Sequence, residues 1–63
     1  MPVVNIAMAQ GRPSEKKEEL IRNVTEAIAT TLNIPKESVH IVLQEVPREN
    51  FGLGGIPLTK LKP

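Results

Sequence analysis

If Met1 is removed by cellular processing, the ring nitrogen of Pro2 becomes a free secondary amine at the start of a strand, and a free α-amino group titrates near pH 8, below a lysine side chain. Pro2 is then a candidate general base. With Met1 retained the same nitrogen is an amide without basicity, and the proline is only a stiff strand start, where no ladder donor is needed. Few other residues could handle a proton or an anion. Arg12 stands just beyond the first apolar run, where a guanidinium either binds an anion or is solvated. His40, in the second apolar run, can donate a hydrogen bond, or pair with an anion when protonated; the alternative is a strand histidine with satisfied hydrogen bonds. Phe51, the single aromatic residue, is a core anchor, the wall of a site, or both.

Other chemistries find no support. Cysteine is absent, which removes disulfides, thiolate metal sites and thiol nucleophiles. With one histidine, a zinc site would be built mostly from carboxylates, which is not the usual ligand set; no metal and no cofactor is expected. Glu45 and Glu49 have no second carboxylate to work with and read as solvated. The run Gly52-x-Gly54-Gly55 resembles a phosphate loop, but no helix follows it and Pro57 interrupts, so it reads as a tight hairpin. Eight Lys/Arg against seven Asp/Glu give a net charge of +1, and the charges are interspersed. With no basic face and no stacking platform, nucleic acid is not an expected partner. No apolar stretch approaches the roughly 20 residues of a membrane span and no signal-peptide pattern opens the chain, so no membrane is expected and the compartment is the cytoplasm.

The elements that must position these residues follow from periodicity. Pro2 to Met8 reads as a strand with Val4, Ile6 and Met8 on one face and Val3, Asn5 and Ala7 on the other, the pattern of burial on both sides. Gln10 to Ser14 is turn chemistry. The spacing of Leu20, Ile21, Val24, Ala27, Ile28 and Leu32 predicts a helix from about Ser14 to Leu32, with Ser14 as N-cap, acidic residues at its start and Glu18 placed to pair with Arg22. Pro35 is expected to end it. Ser38 to Val46, rich in β-branched residues, is the second strand. Strand, long helix, strand makes a βαβ unit with parallel strands. Pro47 to Pro63 is turn-rich and too short to fold alone; a small hairpin near Phe51 to Gly55 is expected to reach onto a neighbouring subunit. The 63 residues make one domain, 1–63, whose core is marginal: a chain this short buries only about 60% of the surface its unfolded form exposes. Self-association is the expected support.

Taken together, these features resemble the small 4-oxalocrotonate (2-hydroxymuconate) tautomerase type within the tautomerase superfamily. The matching pieces are Pro2 after Met1; Gly11-Arg12; Leu20-Ile21, Val24-Thr25-Glu26-Ala27 and Ile28 along the helix; Ser38-Val39; and Asn50-Phe51-Gly52-Leu53-Gly54-Gly55. The match is collinear without gaps to about Gly55. The resemblance implies an α+β fold: a β-α-β protomer with a parallel two-stranded sheet, one long helix and a short C-terminal hairpin, assembling into oligomer sheets as a homohexamer, a trimer of dimers. It implies a cofactor-independent isomerase, of the kind met in aromatic catabolism, acting on a small unsaturated oxo acid. Pro2, freed of Met1, would be the catalytic base; Arg12 would bind a substrate carboxylate and Phe51 would wall an apolar site. A nearby cation and desolvation would both disfavour the protonated amine and lower its pKa toward working pH.

One departure stands out. Where the resembled enzymes carry a second arginine in the second strand, supplied across a subunit boundary to polarise the substrate's 2-oxo oxygen and carboxylate, this chain has His40, which is not a permanent bidentate cation. His40 is kept as a substrate-binding candidate. Two other functions are compatible with the resemblance: a haloacrylate dehalogenase or hydratase of the same superfamily, for which the chain offers no suitable water-activating acid, and a weakly active structural subunit of a mixed hexamer.

Overall fold

Residues 1–61 are described in the computed structural model; Lys62 and Pro63, the end of the turn-rich segment, lie outside them. Strand β1 is Val3–Ala9 and helix α1 is Ser14–Leu32; strand β2 is His40–Val46, and the short strands β3, Gly52–Leu53, and β4, Ile56–Pro57, follow. β1 and β2 pair in parallel, with Val3 opposite His40 and Ala9 opposite Val46. One further bond extends the ladder at each end: the His40 N–H donates to the Pro2 carbonyl (3.0 Å), and the Gln10 N–H to the Val46 carbonyl (2.9 Å). The α+β architecture expected from the sequence is the one observed.

Alternation along the strands divides the sheet into unlike faces. Val4, Ile6, Met8, Ile41 and Leu43 are buried or half-buried beneath α1, whereas Val3, Asn5, Ala7, His40, Val42 and Gln44 are exposed. The helix lays Leu20, Val24 and Ile28 inward. Three residues of the expected apolar stripe, Ile21, Ala27 and Leu32, are instead exposed, Leu32 by 55%. The cause is geometric: a helix on a sheet of only two strands meets a narrow strip, and flanking apolar residues overhang it.

Three local expectations are corrected. Ser14 is the first helical residue rather than the cap; Pro13, in extended conformation (φ −70°, ψ 159°), takes the cap position with no side-chain hydrogen bond, and its carbonyl accepts from the N–H groups of Lys16 and Lys17. Proline fixes the entry angle, so the hydroxyl falls one residue late. The helix ends at Asn33, not through Pro35. Asn33 adopts the left-handed conformation (φ 55°), which asparagine tolerates better than most residues, and the Ile34 N–H bonds back to the Ala29 carbonyl at 3.0 Å. Ser38 lies in a 3₁₀ turn, Lys36–Ser38, so β2 begins two residues later than its β-branched composition suggests. The hairpin forms as expected: Gly54 (φ 59°) and Gly55 (φ 85°) make the two-residue turn with positive φ at both positions that suits paired strands.

The shape is extended. The principal dimensions are 42 × 23 × 15 Å and the radius of gyration is 14.5 Å, against about 11 Å for a compact chain of this length. The surface of 4890 Å² exceeds by about 900 Å² that of a folded monomer of this mass. Among the described residues only Met8 and Ala9 are buried.

The start of α1 is tied to the sheet by charge. Lys17 Nζ meets Glu45 Oε1 at 2.9 Å with both side chains mostly covered (29% and 27% exposed), while Lys16–Glu19 and Lys36–Glu26 are exposed pairs. The expected Glu18–Arg22 pair is not formed. A double-mutant cycle of Lys17→Ala and Glu45→Ala, read by denaturant unfolding at fixed chain concentration, is expected to give a coupling of about 0.5–1 kcal/mol, the upper part of the range for surface pairs. A coupling indistinguishable from zero would show that solvent screens the contact fully.

Candidate active site

Parallel pairing sorts the chemically capable residues by strand end. At the starting end of the sheet, Pro2 and His40 are neighbours through the 3.0 Å bond between their backbones. Pro2 is half-buried; His40 is exposed and lies on the open face with Val3. At the finishing end stands Arg12. It lies beyond β1, its side chain exposed, and its Nη1 donates to the Ala9 carbonyl at 3.3 Å, leaving most of the five guanidinium donors available. Phe51, half-buried, follows β2 through the 3₁₀ turn Arg48–Asn50. Its N–H bonds to the Arg48 carbonyl (3.2 Å) and its carbonyl accepts from the Leu58 N–H (2.9 Å), which anchors the ring beside the hairpin.

The two groups are far apart. β1 has seven residues and spans about 23 Å at the usual rise, so Pro2 and Arg12 of one chain cannot touch one substrate. The candidate residues of each chain are therefore divided between the ends of the sheet: Pro2 and His40 at the start, and Arg12 and, after β2, Phe51 at the finish.

The finishing end also gathers residues that nothing in the sequence places together. Gln10, Gly11, Pro47, Arg48, Glu49 and Thr59 line an open depression of about 630 Å³. It lies at the carboxyl ends of the parallel strands, where ligands of open α/β sheets generally sit. These residues come from three separate segments, and no motif links them; the only signal was that parallel strands must end together. Among the described residues no three His, Cys, Asp or Glu side chains gather as a metal ion would require. No helix among them is long and apolar enough to cross a membrane.

Comparison with known proteins settles the family. The model of the family described as "Tautomerase enzyme" matches residues 2–61. The chain is a member of the tautomerase family. Among its tautomerase relatives, a 2-hydroxymuconate tautomerase of Pseudomonas putida is 43% identical over 61 residues, 97% of each chain. One from Stutzerimonas stutzeri is 46% identical over 55 residues, 87% of each. A heterohexamer 4-oxalocrotonate tautomerase from Chloroflexus aurantiacus superposes with a TM-score of 0.93 at 35% identity, covering 98% of this chain and all of that one. A 4-oxalocrotonate tautomerase isozyme from Methylibium petroleiphilum gives 0.88 at 36% identity, over 92% and 94%. Family membership of this extent makes the protein an enzyme of the isomerase class, with the tautomerase fold.

Proposed function

We propose that this tautomerase, without a cofactor, moves a proton in 2-hydroxymuconate-like unsaturated 2-oxo or 2-hydroxy acids, with Pro2, freed of Met1, as general base. The observation that carries this reading is the placement of Pro2 at the head of a hydrogen-bonded parallel strand with His40 beside it. A base must be held still, and ladder bonds at the first residues do so. The nitrogen of Pro2 takes the proton from the 2-hydroxyl of the dienol; the electron pair shifts along the conjugated carbons and the same proton is delivered to a distal carbon. Atoms and electrons balance within the substrate, so positioning and charge stabilisation suffice. His40 steadies the reacting oxygen, Arg12 binds a carboxylate, and Phe51 keeps water from the amine.

Because the candidate residues lie at opposite ends of each chain, the proposed working site joins Pro2 and His40 of one subunit to Arg12 and Phe51 of others. Assembly as a homohexamer, a trimer of dimers, fits this need and would cover the open sheet face; the interspersed charges, with a net of +1, fit the cytoplasm. The relatives' names support 2-hydroxymuconate as first substrate to test, as in the catabolism of aromatic compounds. The heterohexameric neighbour keeps a second reading in view, in which the chain is a structural subunit of a mixed assembly.

Two outcomes test this reading. With Met1-processed protein, Pro2→Ala should lower kcat for ketonisation of 2-hydroxymuconate at least a hundredfold, the range of a general base. Since only the unprotonated amine accepts a proton, log kcat/KM of the parent should climb with pH to a plateau. Parent protein inactive after verified processing would point to a different substrate or to the mixed assembly. Second, Pro2→Ala and Arg12→Ala variants, each inactive alone, should regain part of the parent activity when dissociated together and reassembled, since mixed contacts rebuild some complete sites. Failure of reassembled mixtures to regain any activity would argue that one chain supplies both groups.

A further inference from the structure

We infer that Arg48, which lines the depression at the finishing end of the sheet, is a further specificity-determining residue that adds to Arg12 in holding the far carboxylate of the substrate. The inference rests on the proposed function, which it deepens. Arg48 and Gly11, the residue before Arg12, line the same depression, so the two guanidinium-bearing segments converge there from the ends of β1 and β2. Among the described residues Arg48 takes part in no ion pair. Its charge is thus not spent within the chain, and Gln10 and Thr59 offer neutral polar partners in the same wall. Pro47 gives the wall an apolar part that suits the carbon skeleton.

Glu49 also lines the depression. Two guanidinium groups against one carboxylate leave this end net positive, while Glu49 opposes an arriving anion. The site is therefore tuned rather than maximally attractive. With His40 at the reacting end, the permanent positive charge sits where the far carboxylate of a dicarboxylic acid would lie, away from the oxygen that loses its proton. A guanidinium holds a carboxylate through paired donors. A monocarboxylate lacking that group gains nothing from it.

The test compares parent protein, Arg48→Gln, Arg48→Lys and Glu49→Gln, all Met1-processed and matched by size-exclusion chromatography. The substrates are 2-hydroxymuconate and 2-hydroxy-2,4-pentadienoate, which lacks the second carboxylate. Arg48→Gln should raise KM for the dicarboxylate roughly tenfold or more, the range of a lost hydrogen bond to a charged group, with kcat nearly constant. KM for the monocarboxylate should change several-fold less. Arg48→Lys should restore part of the loss, and Glu49→Gln should lower KM for the dicarboxylate. Titration calorimetry with cis,cis-muconate, an unreactive dicarboxylate, reads the same subsite without turnover and should show the same order of affinities. Equal effects on both substrates, or muconate binding indifferent to both positions, overturns the assignment of Arg48. Activity retained by Pro2→Ala overturns the base instead, and the muconate titration then still decides Arg48.

Discussion

A two-stranded sheet has two faces, and a helix laid along it covers only one. In this chain α1 covers Val4, Ile6, Ile41 and Leu43 and leaves Val3, Ala7 and Val42 facing outward. Parallel strands are seldom left this way, because their connections normally place cover on both sides. The deficit shows in the elongated outline and in a core with only Met8 and Ala9 buried among the described residues. Association is one of the supports open to a chain of this length without disulfides, and it is the one the proposed assembly uses. The overhanging Leu32 on α1 and the exposed Leu53 and Ile56 of the hairpin belong to the same shortage: apolar groups that one protomer has no room to bury.

The same two strands decide where chemistry is possible. Parallel pairing puts both strand starts together and both strand ends together, so Pro2 must neighbour His40, and Arg12 must neighbour the 3₁₀ turn after β2. β1 itself keeps Pro2 and Arg12 apart, because they flank it; the parallel register adds that Arg48, which follows β2, also lies at the end away from Pro2. Under the proposed mechanism, burial and catalysis therefore depend on one event, since a contact that covers apolar surface between chains can also bring opposite strand ends together.

Most of the scaffold was legible in the sequence because it rests on periodicity, which needs no knowledge of distant contacts. The β-α-β order, the extent of α1 and the hairpin at Gly54-Gly55 follow from alternation, helical spacing and glycine at positions of positive φ. What was not legible depends on small local competitions. Pro13 outweighs Ser14 at the helix start because its ring already fixes the extended cap conformation. Asn33 turns the chain before Pro35 can. Ser38 and Val39 resemble strand but are taken by a turn whose Val39 N–H bonds to the Lys36 carbonyl. Of the candidate site, the residue types were legible singly, whereas the convergence of Gln10, Arg48 and Thr59 appears only once the fold closes three segments around one depression.

The distribution of charge between the two ends bears on how the base could work. A permanent cation next to an amine disfavours its protonated form and lowers its pKa, and desolvation acts in the same direction. His40, beside Pro2, is a cation only when protonated, so in the proposed site the permanent charge that depresses the pKa of the Pro2 amine comes from Arg12 of a neighbouring chain, and Phe51 adds to it by excluding water. Pro2 is already half-buried within one chain, and in the proposed assembly Arg12 and Phe51 of other chains would adjust its amine further toward neutral pH. Under the proposed mechanism basicity, substrate binding and burial would be gained together, which would let so small a chain carry an enzymatic function with little machinery of its own.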